Sequence, residues 1–254
     1  MTSTRPRILF GDHRTQQPAI ERLIDHTRFD VAFASFEAAN FAAFDLVVPL
    51  RVDQIAPARA ANADGRRRAL LPEPELVEVL DDKWLFHQRL RALGFGALLP
   101  ALIEGEWRYP HVLKARKGDF GQGIRIVRSA ADEPTEVPPH SFREEAIEGA
   151  DEFVLHLLRV DGRVRYRLCY RYDMGARLSV RGAVDAPRLI EPADDAVALG
   201  PCTAILDALG YEGTCCFNYK LVEGALKILE INPRFGGSLV GDVTNYVAAH
   251  LAAL

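Results

Sequence analysis

A chain of 254 residues in which 48% are apolar has enough material for a sizeable core, arranged as one large domain or as two to three smaller units. The formal charge of -4 gives no global case for nucleic acid, and no apolar run reaches membrane-spanning length, so neither a nucleic-acid partner nor a membrane is expected. The opening MTSTRPRILFGD lacks the apolar centre of a secretory signal, which gives a cytoplasmic expectation; Cys169, Cys202, Cys215 and Cys216 form no C-x-x-C pair or Cys/His cluster and are expected as free buried thiols.

Arg7 to Phe10 (RILF), followed by Gly11-Asp12-His13, predicts a first parallel strand opening into a loop. The apolar spacing of Pro18 to His26 predicts a helix, and DVAFAS and FDLVVPL (around Leu46 to Val48) add two short buried strands. Residues 1–75 are therefore expected as an α/β unit of the Rossmann kind, although G-x-G-x-x-G is absent. Residues 53–72 read as a loop or short helix, with Arg66-Arg67-Arg68 solvated. Next, Leu76, Val79, Leu80, Leu85, Leu90 and Leu93 form a helical stripe that is expected to break at Asp81-Asp82 and to stop at Gly94.

Tyr109 to Val127 (YPHVLKARKGDFGQGIRIV) places two apolar runs around a glycine-rich turn, which predicts a strand, a mobile loop and a second strand. Glycines at 118, 121 and 123 allow backbone N–H groups to approach phosphate oxygens, and Lys114 adds positive charge; Arg116 and Lys117 are helpers or simply solvated. It is not a P-loop, because G-x-x-x-x-G-K-[ST] is absent. Ser129 to His140 reads as a surface loop. Val154 to Leu158, Val164 to Tyr172 and Leu178 to Val184 then alternate like an antiparallel sheet, with turns at Asp161-Gly162 and Met174-Gly175. Arg163, Arg165 and Arg167 share one face of the middle run, forming either a cationic wall for an anionic substrate or a solvated edge. Ala193 to Leu209, stopped by Gly210, predicts an amphipathic helix.

The chain is organised around Gly213 to Ser238, GTCCFNYKLVEGALKILEINPRFGGS. Two apolar runs flank Glu223-Gly224, which predicts a β-hairpin with its turn there. If Ile231 points into the core, Glu230 and Asn232 point together to the opposite face, where a carboxylate and an amide oxygen can hold a hard cation. Arg234 and the small residues Gly236, Gly237 and Ser238 follow directly.

The string E-I-N-P-R-F-G-G-S on a hairpin strand resembles the metal-binding strand of the ATP-grasp superfamily of ATP-dependent ligases, in the motif style of the carbamoyl-phosphate synthase large subunit. Two further segments resemble that superfamily in order, from Asp82 onward: D-K-x-x-F at Asp82-Lys83, and P-x-V-x-K followed by the glycine loop and G-x-G-[IV]-x-[IV]. The pattern E-x-x-I-x-G-x-x-E-F-x-V resembles its adenine hinge. The resemblance implies an ATP-grasp fold of the α/β class, α+β in its nucleotide-binding part. Its units are a Rossmann-like pre-grasp unit at 1–75, a subdomain with the phosphate loop at 76–143, and a subdomain with the hinge and metal strand at 144–254. It further implies that Lys83, Lys114, Gly118, Gly121 and Gly123 contact phosphates and that Glu144, Ala146 and Ile147 meet adenine. The ribose acid is Asp151 or Glu152, of which Glu152 is favoured because Phe153 follows it. By the same resemblance Glu230, Asn232 and Asn218 hold Mg²⁺, with Mn²⁺ as an alternative, and Arg234 and Lys114 act in catalysis. Asn218 departs from the acidic residue that often stands there, and Lys220 reaches a phosphate or faces solvent. The implied activity is ATP-dependent joining of a small carboxylate to an amine through an acyl phosphate, releasing ADP and phosphate. The alternative is a catalytically weak ATP-binding module of the same fold. A homodimer is an open option for the assembly, and the little chain that follows Ser238 leaves the second substrate to the N-terminal unit, the arginine-bearing sheet or another subunit.

Overall fold

The computed structural model of the protein describes residues 5–105, 108–182 and 184–254. Three consecutive apolar residues in β1 (Arg7–Gly11) are fully buried, because both faces of this strand are covered. Following α1 (Gln17–Leu23), β2 (Asp30–Ala34) and β3 (Leu46–Val48) pair with β1 in parallel, in the order β2-β1-β3. Alternation then sorts the side chains: Ile8, Phe10, Leu46 and Val48 face one apolar cluster, and Leu9 and Val47 face another.

Residues 53–72 form short helical turns, including α2 (Ile55–Ala58). Arg68 corrects the expectation of a solvated arginine run. It is buried because its guanidinium donates to the Phe44 and Ala61 carbonyls and forms a two-pronged pair with Asp64 at 2.6 and 2.9 Å. Arg67 pairs with Asp161 at 3.1 Å.

The predicted break at Asp81-Asp82 separates α3 (Pro74–Asp81) from α4 (Lys83–Ala92). Asp82 caps α4 by accepting from the Trp84 and Leu85 N–H groups at 3.0 and 3.2 Å. Leu85 does not join the apolar stripe; it is exposed, and Phe86 and His87 are buried in its place because the break resets the helical phase.

Strands β4 (His111–Ala115), β5 (Ile124–Val127) and β6 (Ser141–Glu145) form an antiparallel sheet in the order β5-β4-β6. The unit boundary expected between 143 and 144 thus falls inside β6, whose pairing with β4 continues to Glu145. The second antiparallel sheet contains β7 (Asp151–Val160), β8 (Arg163–Asp173), β9 (Leu189–Pro192), β10 (Gly213–Val222) and β11 (Ala225–Asn232), ordered β11-β10-β7-β8-β9. The strand expected at Leu178–Val184 is replaced by β9. Val180 N–H instead donates to the Asp185 carboxylate at 2.7 Å and closes a turn, and Leu189–Pro192 takes the sheet edge beside β8.

Helix α5 (Ala196–Leu209) ends at Gly210 in the left-handed conformation (φ 61°), as the glycine stop predicted. It packs with α3 and α4 on one face of the larger sheet around Leu155, Leu157, Phe217, Ile228 and Ile231. Residues Phe235 to Asp242 and α6 (Val243–Leu251) leave β11 and pack on the first parallel sheet, burying Phe235, Leu239, Tyr246 and Val247 against Phe10 and Val48. This return joins the end of the β10–β11 hairpin to the N-terminal strands. The four cysteines are free and buried, as their spacing suggested. Among the described residues no helix is long and apolar enough to cross a membrane.

Candidate functional site

The β10–β11 hairpin turns at Glu223-Gly224, both with positive φ (51° and 81°), the conformation of a two-residue turn matched to strand twist. Its register sets Asn218 opposite Glu230. Ile231 is buried in the core, so Glu230 and Asn232 point to the other face, which forms one wall of a cleft between the two antiparallel sheets. The cleft holds about 1260 Å³ of empty space, part of it open to solvent.

Asn218 donates to Glu230 Oε1 at 2.5 Å and Asn232 donates to the same oxygen at 2.9 Å. Lys83 Nζ stands 3.7 Å from Glu230 Oε2 and donates to the Gly118 carbonyl at 2.6 Å. Burial alone pushes the Glu230 carboxyl up, but Lys83, the Asn232 hydrogen bond, Lys114 and Arg181 outweigh it and hold the pKa below the ordinary carboxylate value. The group is therefore an anion at neutral pH. Both hydrogen bonds use amide nitrogens, so the two amide oxygens are not consumed by Glu230; one carboxylate and two amide oxygens form a donor set that suits a hard cation.

Lys83 is fixed by its surroundings. It opens α4, its N–H donates to the Arg116 carbonyl at 2.8 Å, and Arg116 forms a forked pair with the capping Asp82 at 2.6 to 3.0 Å. Arg116 thereby ties the start of α4 to the start of the glycine loop. Lys114 is buried on β4, donating to Glu144 Oε1 at 2.7 Å and to the Leu229 carbonyl at 3.1 Å. Glu144 also meets His87 Nε2 at 3.1 Å. Burial raises the Glu144 carboxyl, while Lys114 and His87 more than offset it and leave its pKa lowered. The Glu144 side chain expected at adenine is thus engaged by Lys114 and His87. Ile147 lines the cleft with Glu145; Ala146 does not.

In the loop, Gly118 and Gly121 line the cleft with φ of 136° and 73°. Gly123 (φ 70°) lies outside the lining and packs against Ala115. Facing the loop is the 179–182 segment, so close that a side chain on Gly121 or Gly182 would run into the Arg181 carbonyl or the Phe120 backbone. Glu152 lines the cleft, is buried and accepts from Arg181 Nε at 2.6 Å; Asp151 lies outside the lining and pairs with Arg171 at 2.9 Å. Lys220 does not face solvent and, among the described residues, has no carboxylate within ion-pair distance. It is buried in the cleft wall, donates to the Gly149 carbonyl at 2.9 Å, and burial lowers its pKa against the pull of Glu152.

At the far end of the cleft stand Arg234, which donates to the Phe235 carbonyl at 3.0 Å, and His156, whose Nε2 meets Ser238 Oγ at 2.7 Å. Burial, then Arg181 and Arg234, push the His156 pKa down to about 3, so the ring is neutral. Gln16 reaches this end from the loop after β1. Arg163, Arg165 and Arg167 are exposed outside the cleft, in the solvated arrangement; Arg181 and Arg234 are the arginines lining it among the described residues. Residue-by-residue reading missed His87, His156, Gln16 and the placement of Arg181. Only His87 carried a signal: it lies four residues after Lys83 and shares its helix face.

No family model matches this chain, and no curated protein matches it. Solved structures do. D-alanine–D-alanine ligase from Bacillus anthracis, complexed with ATP, superposes with a TM-score of 0.66 at 14% identity, covering 99% of this chain and 97% of that one. L-amino acid ligase from Bacillus licheniformis gives 0.63 at 19% identity, covering 94% and 70%. The biotin carboxylase domain of 2-oxoglutarate carboxylase from Hydrogenobacter thermophilus, in complex with MgADP, ADP and bicarbonate, gives 0.64 at 15% identity, covering 98% and 69%. The chain has the ATP-grasp fold.

Proposed function

We propose that this chain, with the fold of those ligases, is an ATP-dependent carboxylate–amine ligase that activates a small carboxylate as an acyl phosphate and releases ADP and phosphate. One observation carries the reading: in a single cleft, Lys83 and Lys114 flank a half-buried Glu230 carboxylate that holds the Asn218 and Asn232 amides against it. Oxygen donors between two ammonium groups suit a metal–triphosphate better than they suit a neutral ligand.

In this reading Lys83, Lys114 and Arg234 hold phosphate oxygens, and Gly118 and Gly121 bring backbone N–H groups over them. Glu152 takes the ribose hydroxyls and Ile147 borders adenine, while Glu144, held by Lys114 and His87, positions the Lys114 ammonium. Glu230, Asn232 and Asn218 would hold Mg²⁺, or Mn²⁺, which when bound neutralises charge on the phosphates. The interlocked loops exclude water from the anhydride intermediate's surroundings. Since no side-chain nucleophile is needed, positioning and charge are the chain's whole contribution.

The decisive experiment follows γ-labelled ATP during turnover with pools of small carboxylic acids and hydroxylamine. Label in orthophosphate, with ADP and an acyl hydroxamate, is expected. AMP with labelled pyrophosphate would overturn the residue roles. Asn218, an amide where a carboxylate would bind metal more strongly, favours a second reading as a weakly active ATP-binding module. That reading requires nucleotide binding in calorimetry without hydroxamate from any acid in the pool.

A further inference from the structure

The far end of the cleft contains polar atoms that the phosphate chemistry leaves unused. Among the described residues, the buried Gln16 has no hydrogen-bond partner for its Oε1 and the fully buried His156 has none for its Nδ1; Ser179 Oγ, on the segment facing the glycine loop, has none either. All three residues line the cleft. Gln16 and His156 flank the same backbone. A side chain on Gly236 would strike the His156 ring, and one on Gly237 would lie 3.8 Å from the Gln16 amide. Arg234, two residues earlier, has a carbonyl as its hydrogen-bond partner and, among the described residues, no carboxylate within ion-pair distance. Buried polar atoms without partners in a cleft wall are sites where a ligand's polar groups complete the hydrogen bonding.

The groups facing this corner decide the sign of what fits. Glu144, Glu152 and Glu230 are each engaged by Lys114, Arg181 and Lys83, and Glu145 accepts from the Ala101 N–H at 3.2 Å. Arg234 and Arg181 both bear on His156; Arg234 and Arg51 bear on His13 beside Gln16, opposed by Asp119 of the glycine loop. After burial, these guanidinium groups lower the pKa of both imidazoles, and the same positive field disfavours a substrate ammonium next to them. Gln16 Oε1 is an acceptor and needs an N–H or O–H donor.

Resting on the ligase reading above, we propose that Gln16 and His156 select the carboxylate substrate: an acid that also carries an uncharged hydrogen-bond donor, a hydroxyl or primary amide, rather than an ammonium. They act as specificity residues, reading the donor at the end of the cleft where Arg234 meets the outer phosphate.

Lactate, alanine and propionate test this, because they differ only in bearing a hydroxyl, an ammonium or hydrogen; the chiral acids are used as both enantiomers. Each is titrated calorimetrically into protein holding MgADP, and each is offered with MgATP and hydroxylamine for hydroxamate formation. Lactate is expected to bind about tenfold or more tightly than alanine or propionate, the size of one hydrogen bond to an otherwise unpaired buried group. Gln16→Ala should bring lactate down to the level of propionate with MgADP affinity unchanged, and Gln16→Glu should move the preference toward alanine, a reversal that a merely structural role would not produce. Preference for alanine over lactate in the parent protein, no binding of any of the three acids, or an unchanged lactate-to-propionate ratio in Gln16→Ala would each overturn the assignment. The expected binding order without hydroxamate would overturn the ligase reading and leave the selectivity of the corner standing.

Discussion

Replacing Lys114 by Ala should do two separable things. Lys114 and Glu144 are 5% and 3% exposed and 2.7 Å apart, and the remaining partner of Glu144 is His87 at 3.1 Å. Removing the ammonium leaves a buried carboxylate without its fixed counter-charge, a change that costs about 3 to 5 kcal/mol when one member of a buried pair is deleted. For a chain of this length each kcal/mol moves the melting temperature by roughly 2–4 °C, so the unliganded protein should melt roughly 10 °C lower. ATP affinity should also fall about tenfold or more, because a charge-assisted contact is lost. Lys114→Met combined with Glu144→Gln separates the effects, since it removes both charges at nearly constant volume. The double variant should regain most of the stability and none of the affinity. Urea unfolding followed by circular dichroism, with calorimetry using a non-hydrolysable ATP analogue, reads both quantities. If Lys114→Ala unfolds within about 0.5 kcal/mol of the parent protein, Glu144 does not depend on Lys114 and the pair is not the structural unit argued here.

Glu230→Gln keeps an amide oxygen to accept from Asn218 and Asn232 but leaves the buried Lys83 ammonium without its carboxylate, so urea stability should fall, by less than in Lys114→Ala because the pair is 3.7 Å apart and Lys83 keeps its bond to the Gly118 carbonyl, while magnesium-dependent turnover collapses; equal activity at limiting magnesium would remove β11 from the metal site. Gly182→Ala should loosen the contact with Phe120 and raise the ATP concentration needed for half-maximal turnover, with global stability reduced by about 1 kcal/mol for the residue's positive φ of 121°; an unchanged ATP dependence would show that the two loops do not act together. His250 is buried with its pKa depressed to about 3 from an ordinary 6.5, so below pH 6.5 the unfolded chain takes up a proton that the native chain refuses. Stability should fall by about 2 kcal/mol from this group between pH 7 and 5, and His250→Gln should abolish that part of the slope in paired urea titrations.

What the sequence disclosed was local. The Glu223-Gly224 turn, the Gly210 stop and the break at Asp82 each depend on a few adjacent residues whose backbone preferences need no tertiary help, and the structure has them where they were expected. The outward face of Glu230 and Asn232 followed from strand alternation alone. Leu178–Val184 misled because its apolar alternation is strand-like. The turn that forms instead depends on Asp185 accepting from Val180 and on Gly182 lying against Phe120, contacts made across the cleft from the glycine loop. Arg68 misled in the opposite sense: a charge run reads as surface, yet its third member finds an aspartate and two carbonyls in an otherwise apolar setting. Gln16 gave no signal, being separated by more than 200 residues from the Gly237 backbone that it meets.

The pairing of charges in the cleft explains how one surface can be both stable when empty and receptive to a polyanion. Lys83, Lys114 and Arg181 each have a carboxylate partner, at 3.7, 2.7 and 2.6 Å, so burying them leaves no uncompensated charge. Lys220 and Arg234 line the same cleft and rest on the Gly149 and Phe235 carbonyls, which satisfy hydrogen bonds without neutralising charge. An anion entering the cleft therefore meets two cations that it need not take from any carboxylate, one near Glu152 and one beside Asn232. The long Lys83–Glu230 separation marks the pair most easily parted. Parting it frees Lys83 toward phosphate and Glu230 toward a cation in the same movement. Glu230 and Lys83 lie on different elements, β11 and α4, and Arg116 with its fork to Asp82 ties the start of α4 to the start of the glycine loop. Weakening that fork should disturb phosphate binding, although Arg116's side chain does not touch the Lys83 ammonium.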